Sequence, residues 1–432
     1  RVHVRDLSKY SIKKYYEVPF NGEYSYKSEQ DALDCLDKLF DQAIRRQLMS
    51  DVPLGFFLSG GLDSSLIVAK AREITGKRLS CYTIKANDND WKKEGVTNDL
   101  HYAKKVADYL DVNLHIVETD VNILEDFDKM IWHLDEPQGD VAPLNVLSIA
   151  QLAKDRGESV LLGGVAGDDL FSGYRRHQAL AYDSKLRRMG ISSLFKNQYR
   201  DRIIQGMPIK SHLKRKLIKL FGQIDTPSSH NGVGYYQWVS LQESLKLFRG
   251  EIQEQIEGYE PSQILLASLD EIPDEPDRLN KMLYWDIKYF LTDHNLNYTD
   301  KMSMAVGVEA RVPFLDYDLV KFSTDIDPKL KMKGSTTKYL LKKLAERYLP
   351  QDVVYRPKTG FGAPVRKWIM EDMNELIYNY LSPDSIKSRG IFNEATVWEL
   401  IEENKRGERD RSYTVLSLLA IESWFRQFVD QK

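Results

Sequence analysis

The sequence predicts an α/β fold, a doubly wound parallel sheet that gives way to a mainly helical C-terminal half. Three observations predict it. Up to about residue 180, short apolar runs of strand length alternate with segments of helical period. Two of those runs stop abruptly in glycine-rich turns, Ser59-Gly60-Gly61 and Gly163-Gly164, which lead into helix-like segments. Beyond residue 180 the apolar positions keep mainly helical spacing.

Residues 1–27 carry Tyr, Lys and turn formers (Pro19, Asn21, Gly22) without a long apolar period. They read as a linker or the trailing edge of a further domain. A helix is expected from Ser28, which can cap it. Asp31 lies three positions on, and Leu33, Leu36, Leu39, Phe40, Ala43 and Ile44 keep helical spacing. Residues 52–58 read as a buried strand and 66–73 as the helix after the first turn. Residues 79–84 are a strand by composition, broken by Asn87-Asp88-Asn89-Asp90; 101–110 read as a helix and 112–117 as a third strand. Helices at about 121–133 and 144–155 precede a short buried strand at 159–162.

Ligands of such sheets bind beyond the C-terminal ends of the strands. The ends at Ser59, Ile84 and Gly163 are therefore expected to converge on one crevice. Residues 185–223 form a helical, basic stretch without interleaved aromatics, read as solvated helix faces rather than an RNA surface. Helical periods return at 281–292, 316–324, 335–348, 392–404 and 412–428. The expected organisation is one domain over 28–432, with a nucleotide-binding α/β part to about 180 and a helical part from 181.

With 61 basic and 64 acidic residues the net charge is −3, and no global field points to a nucleic acid or a membrane. Cys35 and Cys81 are too few and too far apart for a disulfide framework or a metal cluster, so a reducing, cytoplasmic setting is expected. No apolar run nears the roughly 18 residues of a membrane span. The chain opens on Arg1 with no apolar leader, as a processed chain or a fragment would.

The chemistry starts at Ser59-Gly60-Gly61-Leu62-Asp63-Ser64-Ser65. Gly60 and Gly61 allow positive φ and close backbone approach. Ser64 and Ser65 fall where hydroxyls and free amides open a helix, and such a terminus suits phosphate. The loop lacks the Gly-Lys-Ser/Thr ending of a Walker A loop and is no G-x-G-x-x-G. A ligand-free strand-to-helix turn is the bland alternative. Asp168 and Asp169 follow the second turn, where buried carboxylates need a partner, a metal or a helix to cap. Asp63 and Asp168 together could hold Mg²⁺, which takes one or two carboxylates plus phosphate oxygens.

Ser-Gly-Gly-x-Asp-Ser resembles the pyrophosphate loop of the ATP pyrophosphatases, which cut ATP between the α- and β-phosphates. Three further stretches narrow the resemblance. The run from Gly163 through Asp168-Asp169-Leu170-Phe171-Ser172-Gly173-Tyr174 is similar to the second motif of asparagine synthetases. Asp300-Lys301-Met302-Ser303-Met304 and the run from Val308 to Asp316 look like that family's third signature. Arg356-Pro357-Lys358-Thr359-Gly360-Phe361 looks like its lysine-bearing loop.

The resemblance implies that Leu58 and Ile84 flank adenine and ribose, and that Ser59, Gly60, Gly61, Ser64 and Ser65 cradle pyrophosphate. It implies that Asp63 and Asp168 bind Mg²⁺, that Gly163 and Gly164 lie against AMP, and that Lys358 steadies the α-phosphate and departing pyrophosphate. The implied reaction activates a carboxylate with ATP as an acyl-adenylate, which ammonia converts to an amide. Aspartate to asparagine is the first expectation. Another carboxylate, such as a uronic acid of a surface polysaccharide, and an ATP-binding pseudoenzyme are the alternatives.

Arg175, Arg176 and His177 are candidates for the acceptor's second carboxylate, with a solvated helix face as the bland reading. Glu309 and Arg311 are expected to form a buried structural ion pair. Two departures stand out. Val165 occupies a position where the family usually has an acidic residue; the segment from Asp135 to Asp140 offers substitutes. Glutamine-dependent members begin with a glutaminase domain whose N-terminal cysteine is the nucleophile, and neither cysteine here is terminal. A glutaminase domain or subunit is therefore an expected partner in the full-length protein, and a homodimer is an open possibility.

Overall fold

Ser28 caps the first helix. In the computed structural model, which describes residues 13–26, 28–85, 99–118, 123–188, 232–237, 239–358 and 364–430 with isolated positions between 204 and 217, its hydroxyl accepts the Asp31 N–H at 3.5 Å. Helix α1 (Glu29–Gln47) has Glu29 and Asp31 in its first turn and Arg45 and Arg46 in its last, which suits the helix dipole. Its buried side chains (Ala32, Leu36, Phe40, Ala43, Ile44) form one stripe. Residues 1–12, the 87–90 break, most of the 185–223 stretch and residues 359–361 of the lysine loop lie outside the described residues.

Five parallel strands form one sheet: β1 (Leu54–Phe57), β2 (Ser80–Lys85), β3 (Asn113–Glu118), β4 (Val160–Leu162) and β5 (Glu309–Arg311), in the order β3-β2-β1-β4-β5. The intervening helices are α2 (Leu62–Thr75), α3 (Asp99–Leu110), α4 (Ile123–Leu134), α5 (Ala142–Asp155), α6 (Gly167–Phe171) and α7 (Arg175–Arg188). Successive strand residues serve opposite faces. Phe56, Leu58, Val160 and Leu162 join one core with α1 and α2, whereas Tyr82 and Leu161 pack on Ile149, Ala150 and Ala153 of α5. Helices on both faces account for the central strands β1 and β4, which carry no polar side chain.

The chain runs outward from β1 to β2 and β3, then returns to the other side of β1 as β4. The order therefore reverses between β1 and β4, where a parallel sheet opens a crevice. The pairing Phe56↔Leu162 levels their C-terminal ends, so the two glycine-rich turns flank that crevice.

The second half supplies α8 (Arg278–Trp285), a π-helix (Asp286–Leu296), α9 (Asn297–Met304), α10 (Tyr317–Asp325), α11 (Tyr339–Ala345), α12 (Glu394–Lys405) and α13 (Ser412–Phe428). Three expectations need correction. The expected helix at 281–292 turns π-helical from Asp286. The one expected at 335–348 starts only after Lys338, whose φ of +52° cannot continue a right-handed helix. Glu309 and Arg311 pair at 2.8 Å, but Glu309 is exposed; as i, i+2 neighbours on β5 they share one face of an edge strand. Arg311 also donates to the carbonyls of Gln47 (2.8 Å) and Met49 (2.6 Å). Both cysteines are free thiols, and no helix among the described residues is long and apolar enough to cross a membrane.

Candidate active site

The turn after β1 is built for close approach. Gly60 has φ of +69°, and a Cβ there would stand 2.4 Å from the Ala103 amide of α3. Gly61 is the N-cap of α2 and no side chain caps it. Ser59 Oγ lies 3.1 Å from Ser64 Oγ and accepts the Gly61 N–H at 3.3 Å. Ser65 Oγ is buried without a hydrogen-bond partner among the described residues. Open amides and hydroxyls at the start of a 14-residue helix make an anion cradle.

The turn after β4 packs directly on that cradle. A Cβ on Gly164 would lie 2.8 Å from Ser64 N, and one on Gly167 would lie 2.7 Å from the Asp63 carboxyl. Ala166 takes φ of +72°, a left-handed conformation that a non-glycine residue adopts only under constraint. It also serves as N-cap of α6, so Asp168 and Asp169 sit in the first turn and neither caps the helix.

Two lysines and two carboxylates meet here. Lys338 Nζ stands 2.5 Å from Asp63 Oδ2 and 2.6 Å from Asp168 Oδ1, and Lys358 Nζ donates to Asp168 Oδ2. Burial raises the Asp63 carboxyl, helped by Asp168 and opposed by Lys338. Burial would raise Asp168 too, but Lys338 and Lys358 outweigh it and hold Asp168 well below the ordinary range. Burial likewise lowers the Lys338 ammonium, and the two carboxylates more than reverse that. Arg356 donates to the Gly60 carbonyl at 2.8 Å, pairs with Asp99 and lies 4.4 Å over the Tyr102 ring. It thereby ties the lysine loop to the first turn. Arg175 reaches the same loop through the Lys358 carbonyl at 3.1 Å.

Arg176 and His177 turn away from this centre. Asp286 of the π-helix takes Arg176 Nη2 at 2.7 Å and His177 Nε2 at 2.6 Å. The Arg176 guanidinium lies between the rings of Tyr174 and Phe290, 3.9 and 4.3 Å from their centroids. Both are committed to Asp286, Arg176 as a buried ion pair and His177 through a hydrogen bond, and together they fix α7 to the π-helix. Of the three proposed acceptor ligands, only Arg175 faces the cavity.

That cavity measures about 680 Å³. Its lining includes Ser59, Gly61, Asp63, Ser64, Asp168, Lys338, Lys342, Arg356 and Lys358, and also Asp140, Tyr174, Phe290, His294, Asn295 and Tyr298. Gly163, Gly164 and Val165 line the wall as well. Leu58, Gly60, Ser65 and Ile84 are not among its lining residues. Leu58 is buried, its N–H donating to Tyr82 O at 2.8 Å. Sequence reasoning gave no role to Lys338, Arg356 or His294. A lysine inside Ser335-Thr336-Thr337, just ahead of an amphipathic helix, was the available signal for the first.

Comparison with known proteins agrees with this geometry. The family described as "Asparagine synthase" matches residues 35–426. The chain is 29% identical over 424 residues to "Asparagine synthetase [glutamine-hydrolyzing] 1" of Bacillus subtilis, covering 96% of this chain and 62% of that protein. It is 27% identical over 362 residues to "Asparagine synthetase [glutamine-hydrolyzing] 3" of the same organism, covering 81% and 51%. It is 22% identical over 437 residues to "Amidase chyE" of Penicillium rubens, covering 90% and 61%. The chain thus spans about three-fifths or less of these relatives' lengths. The sheet order, the two turns at its switch point and a family match over most of the sequence lead to one conclusion: the chain belongs to the asparagine synthase family.

Proposed function

We propose that this chain carries out ATP-dependent amide synthesis: a carboxylate attacks the α-phosphate of ATP, pyrophosphate leaves, and ammonia displaces AMP from the acyl-adenylate. The observation that carries this is the cavity that joins the open amides of the first turn to the Asp63, Asp168, Lys338 and Lys358 cluster. The lysines and amides suit a departing pyrophosphate, and a volume of about 680 Å³ leaves room for an acceptor. Phosphoryl transfer asks a protein mainly for positioning and electrostatics. The first turn would bind the β- and γ-phosphates, with Leu58 and Ile84 toward adenine and ribose and Gly163 and Gly164 against AMP. Lys338 and Lys358 would offset the charge that gathers on the leaving oxygens. Keeping water from the acyl-adenylate would fall to the apolar and aromatic side chains of the cavity wall.

Mg²⁺ fits the same centre. Asp63 Oδ1 is buried with no hydrogen-bond partner among the described residues, and hard carboxylate oxygens suit this ion. No cluster of three or more such ligands occurs among the described residues, so phosphate oxygens would complete the shell around Asp63 and Asp168. When bound, the ion would supply charge neutralisation at the phosphates.

Aspartate is the first acceptor to test, given the relatives' names. The aromatic part of the lining, with Tyr174, Phe290 and Tyr298, offers a sugar ring faces to stack on and favours a bulkier carboxylate as the second reading. A glutaminase domain or subunit would supply ammonia, in keeping with relatives named glutamine-hydrolysing. The test is carboxylate-dependent release of AMP and pyrophosphate with ammonium present. Turnover with L-aspartate supports the first reading. No turnover with aspartate but turnover with D-glucuronate transfers the assignment to the second. ATP binding without AMP formation for any of a broad panel of carboxylates leaves only a nucleotide-binding pseudoenzyme.

A further inference from the structure

Amide formation from an acyl-adenylate releases a proton. The new N–C bond forms, the C–O bond to AMP breaks, and ammonia sheds one proton beyond the two that the amide keeps. A group on the cavity wall is placed to take it. Val165 is apolar and offers no acceptor. Among the described carboxylates on the wall, Asp63 and Asp168 face lysines, Asp99 faces Arg356, and Asp169 accepts from the Tyr174 hydroxyl at 3.1 Å.

One pair stands apart from these. His294, on the π-helix, places Nε2 3.2 Å from Asp140 Oδ2, and both residues line the cavity. Asp140 Oδ1 is occupied by the amides that open α5, Val141 N at 2.7 Å and Ala142 N at 3.0 Å, so its other oxygen is fixed toward the histidine. Asn295 Nδ2 donates to the Tyr174 hydroxyl at 2.9 Å, which turns its Oδ1 toward His294 Nδ1, 2.9 Å away. Nδ1 is therefore the protonated nitrogen and Nε2 the one that exchanges its proton. Phe290 stacks on the ring at 4.9 Å and Tyr298 meets it edge-on at 5.2 Å, holding it in place.

We propose that the Asp140–His294 pair accepts the proton of the attacking nitrogen at the Nε2···Oδ2 contact, where the incoming proton turns two facing lone pairs into a hydrogen bond from the His294 imidazolium to the Asp140 carboxylate. The inference rests on the amide-synthesis reading. Burial lowers the His294 pKa and Asp140 more than reverses this, while Arg176 behind the π-helix opposes it slightly. General acid–base catalysis of this kind is worth about 10²- to 10⁴-fold.

The two half-reactions separate this role from others. Pyrophosphate exchange into ATP reports adenylation; amide formation from ammonium chloride reports the second step. Both are measured with L-aspartate, or with the panel carboxylate that supports exchange. His294→Gln is expected to keep exchange within about twofold and to lower amide formation by about 10² or more. Asp140→Asn keeps an oxygen to cap α5 but removes the charge, so the rising limb of the amide-formation pH profile moves toward lower pH. Amide formation by His294→Gln within about threefold of the unaltered chain overturns the proposal. So does an equal fall in both half-reactions, or a pH limb that Asp140→Asn leaves in place. If the unaltered chain shows no carboxylate-dependent exchange, the amide-synthesis reading falls and this one falls with it.

Discussion

Lys338 Nζ stands 2.5 Å from Asp63 Oδ2, so a buried ammonium lies where two turns of the sheet bring carboxylates together. Asp168 Oδ1 completes the arrangement at 2.6 Å. The lysine neutralises a pair that would otherwise repel in a dry site. Removing one partner of a buried pair typically costs about 3–5 kcal/mol. Lys338→Met is expected to lose about that much at pH 7, read from urea unfolding, and to regain part of it in millimolar Mg²⁺. Without the lysine, Asp63 loses the main offset to its burial and its folded pKa rises further, while Lys358 still holds Asp168, so the fold binds the Asp63 proton more readily than the unfolded chain. The variant should therefore gain stability as pH falls from 7 toward 5. The unaltered chain should do the opposite near pH 4, because Asp168 is held below its ordinary range and its contribution fades as it protonates. A variant as stable as the unaltered chain at pH 7 would remove Lys338 from this role.

Arg356 acts on chemistry through another residue. It grips the Gly60 carbonyl and Asp99, and so sets where the lysine loop begins. Lys358→Ala is expected to slow adenylation by about 10²- to 10³-fold, the usual worth of one positioned charge donor. Arg356→Ala should reach about 10² in kcat. The double variant should be no slower than Lys358→Ala alone, because the arginine's effect passes through the lysine. Additive losses would show an independent contact with nucleotide.

The backbone contact between the two turns predicts a steric result. Alanine at Gly164 would put Cβ 2.8 Å from Ser64 N and 2.9 Å from Asp63 Cβ, where backbone cannot yield cheaply. Gly164→Ala is expected to cost about 1–3 kcal/mol and at least a tenfold loss of ATP affinity by calorimetry. Gly250→Ala, with nothing within 4 Å of its Cβ, is the control and should leave both unchanged.

What the sequence made legible was local. The strand, turn and helix around Ser59 to Ser65 lie within about a dozen residues, and each propensity agrees with the next. The strand ends at Ser59 and Gly163 could be matched because parallel sheets bind ligands there whatever the sequence. Contacts between distant segments were not legible. Lys338 lies 275 residues from Asp63, in a Ser-Thr-Thr turn with surface composition, and only packing of α11 brings it inward. Arg176 and His177 read as acceptor ligands or a solvated helix face because their partner, Asp286, is 110 and 109 residues away. The strand β5 was hidden by its residues, Glu-Ala-Arg, which lack any strand preference. The π-helix leaves no period that distinguishes it from an α-helix, yet it carries both Asp286 and His294.

A second buried lysine gives a pH dependence unrelated to the site. Lys331 is fully buried, donates to Asn280 Oδ1 at 2.8 Å and lies 5.1 Å over the Phe20 ring. Burial pushes its ammonium down to about 7, although Glu275, Asp277 and Asp325 pull the other way. The unfolded value is about 10.4, so between these limits the unfolded chain binds more protons than the fold. Stability must then rise with pH from about 7 to 10, and the full cost applies below 7. The shift corresponds to a penalty on the order of 4 kcal/mol. Replacing Lys331 with Met should flatten this slope, measured as the difference between the two proteins in guanidinium unfolding at pH 7, 8 and 9. That difference cancels the tyrosines and cysteines that titrate in both. Equal slopes would mean that Lys331 stays charged in the fold, held by the three carboxylates around it.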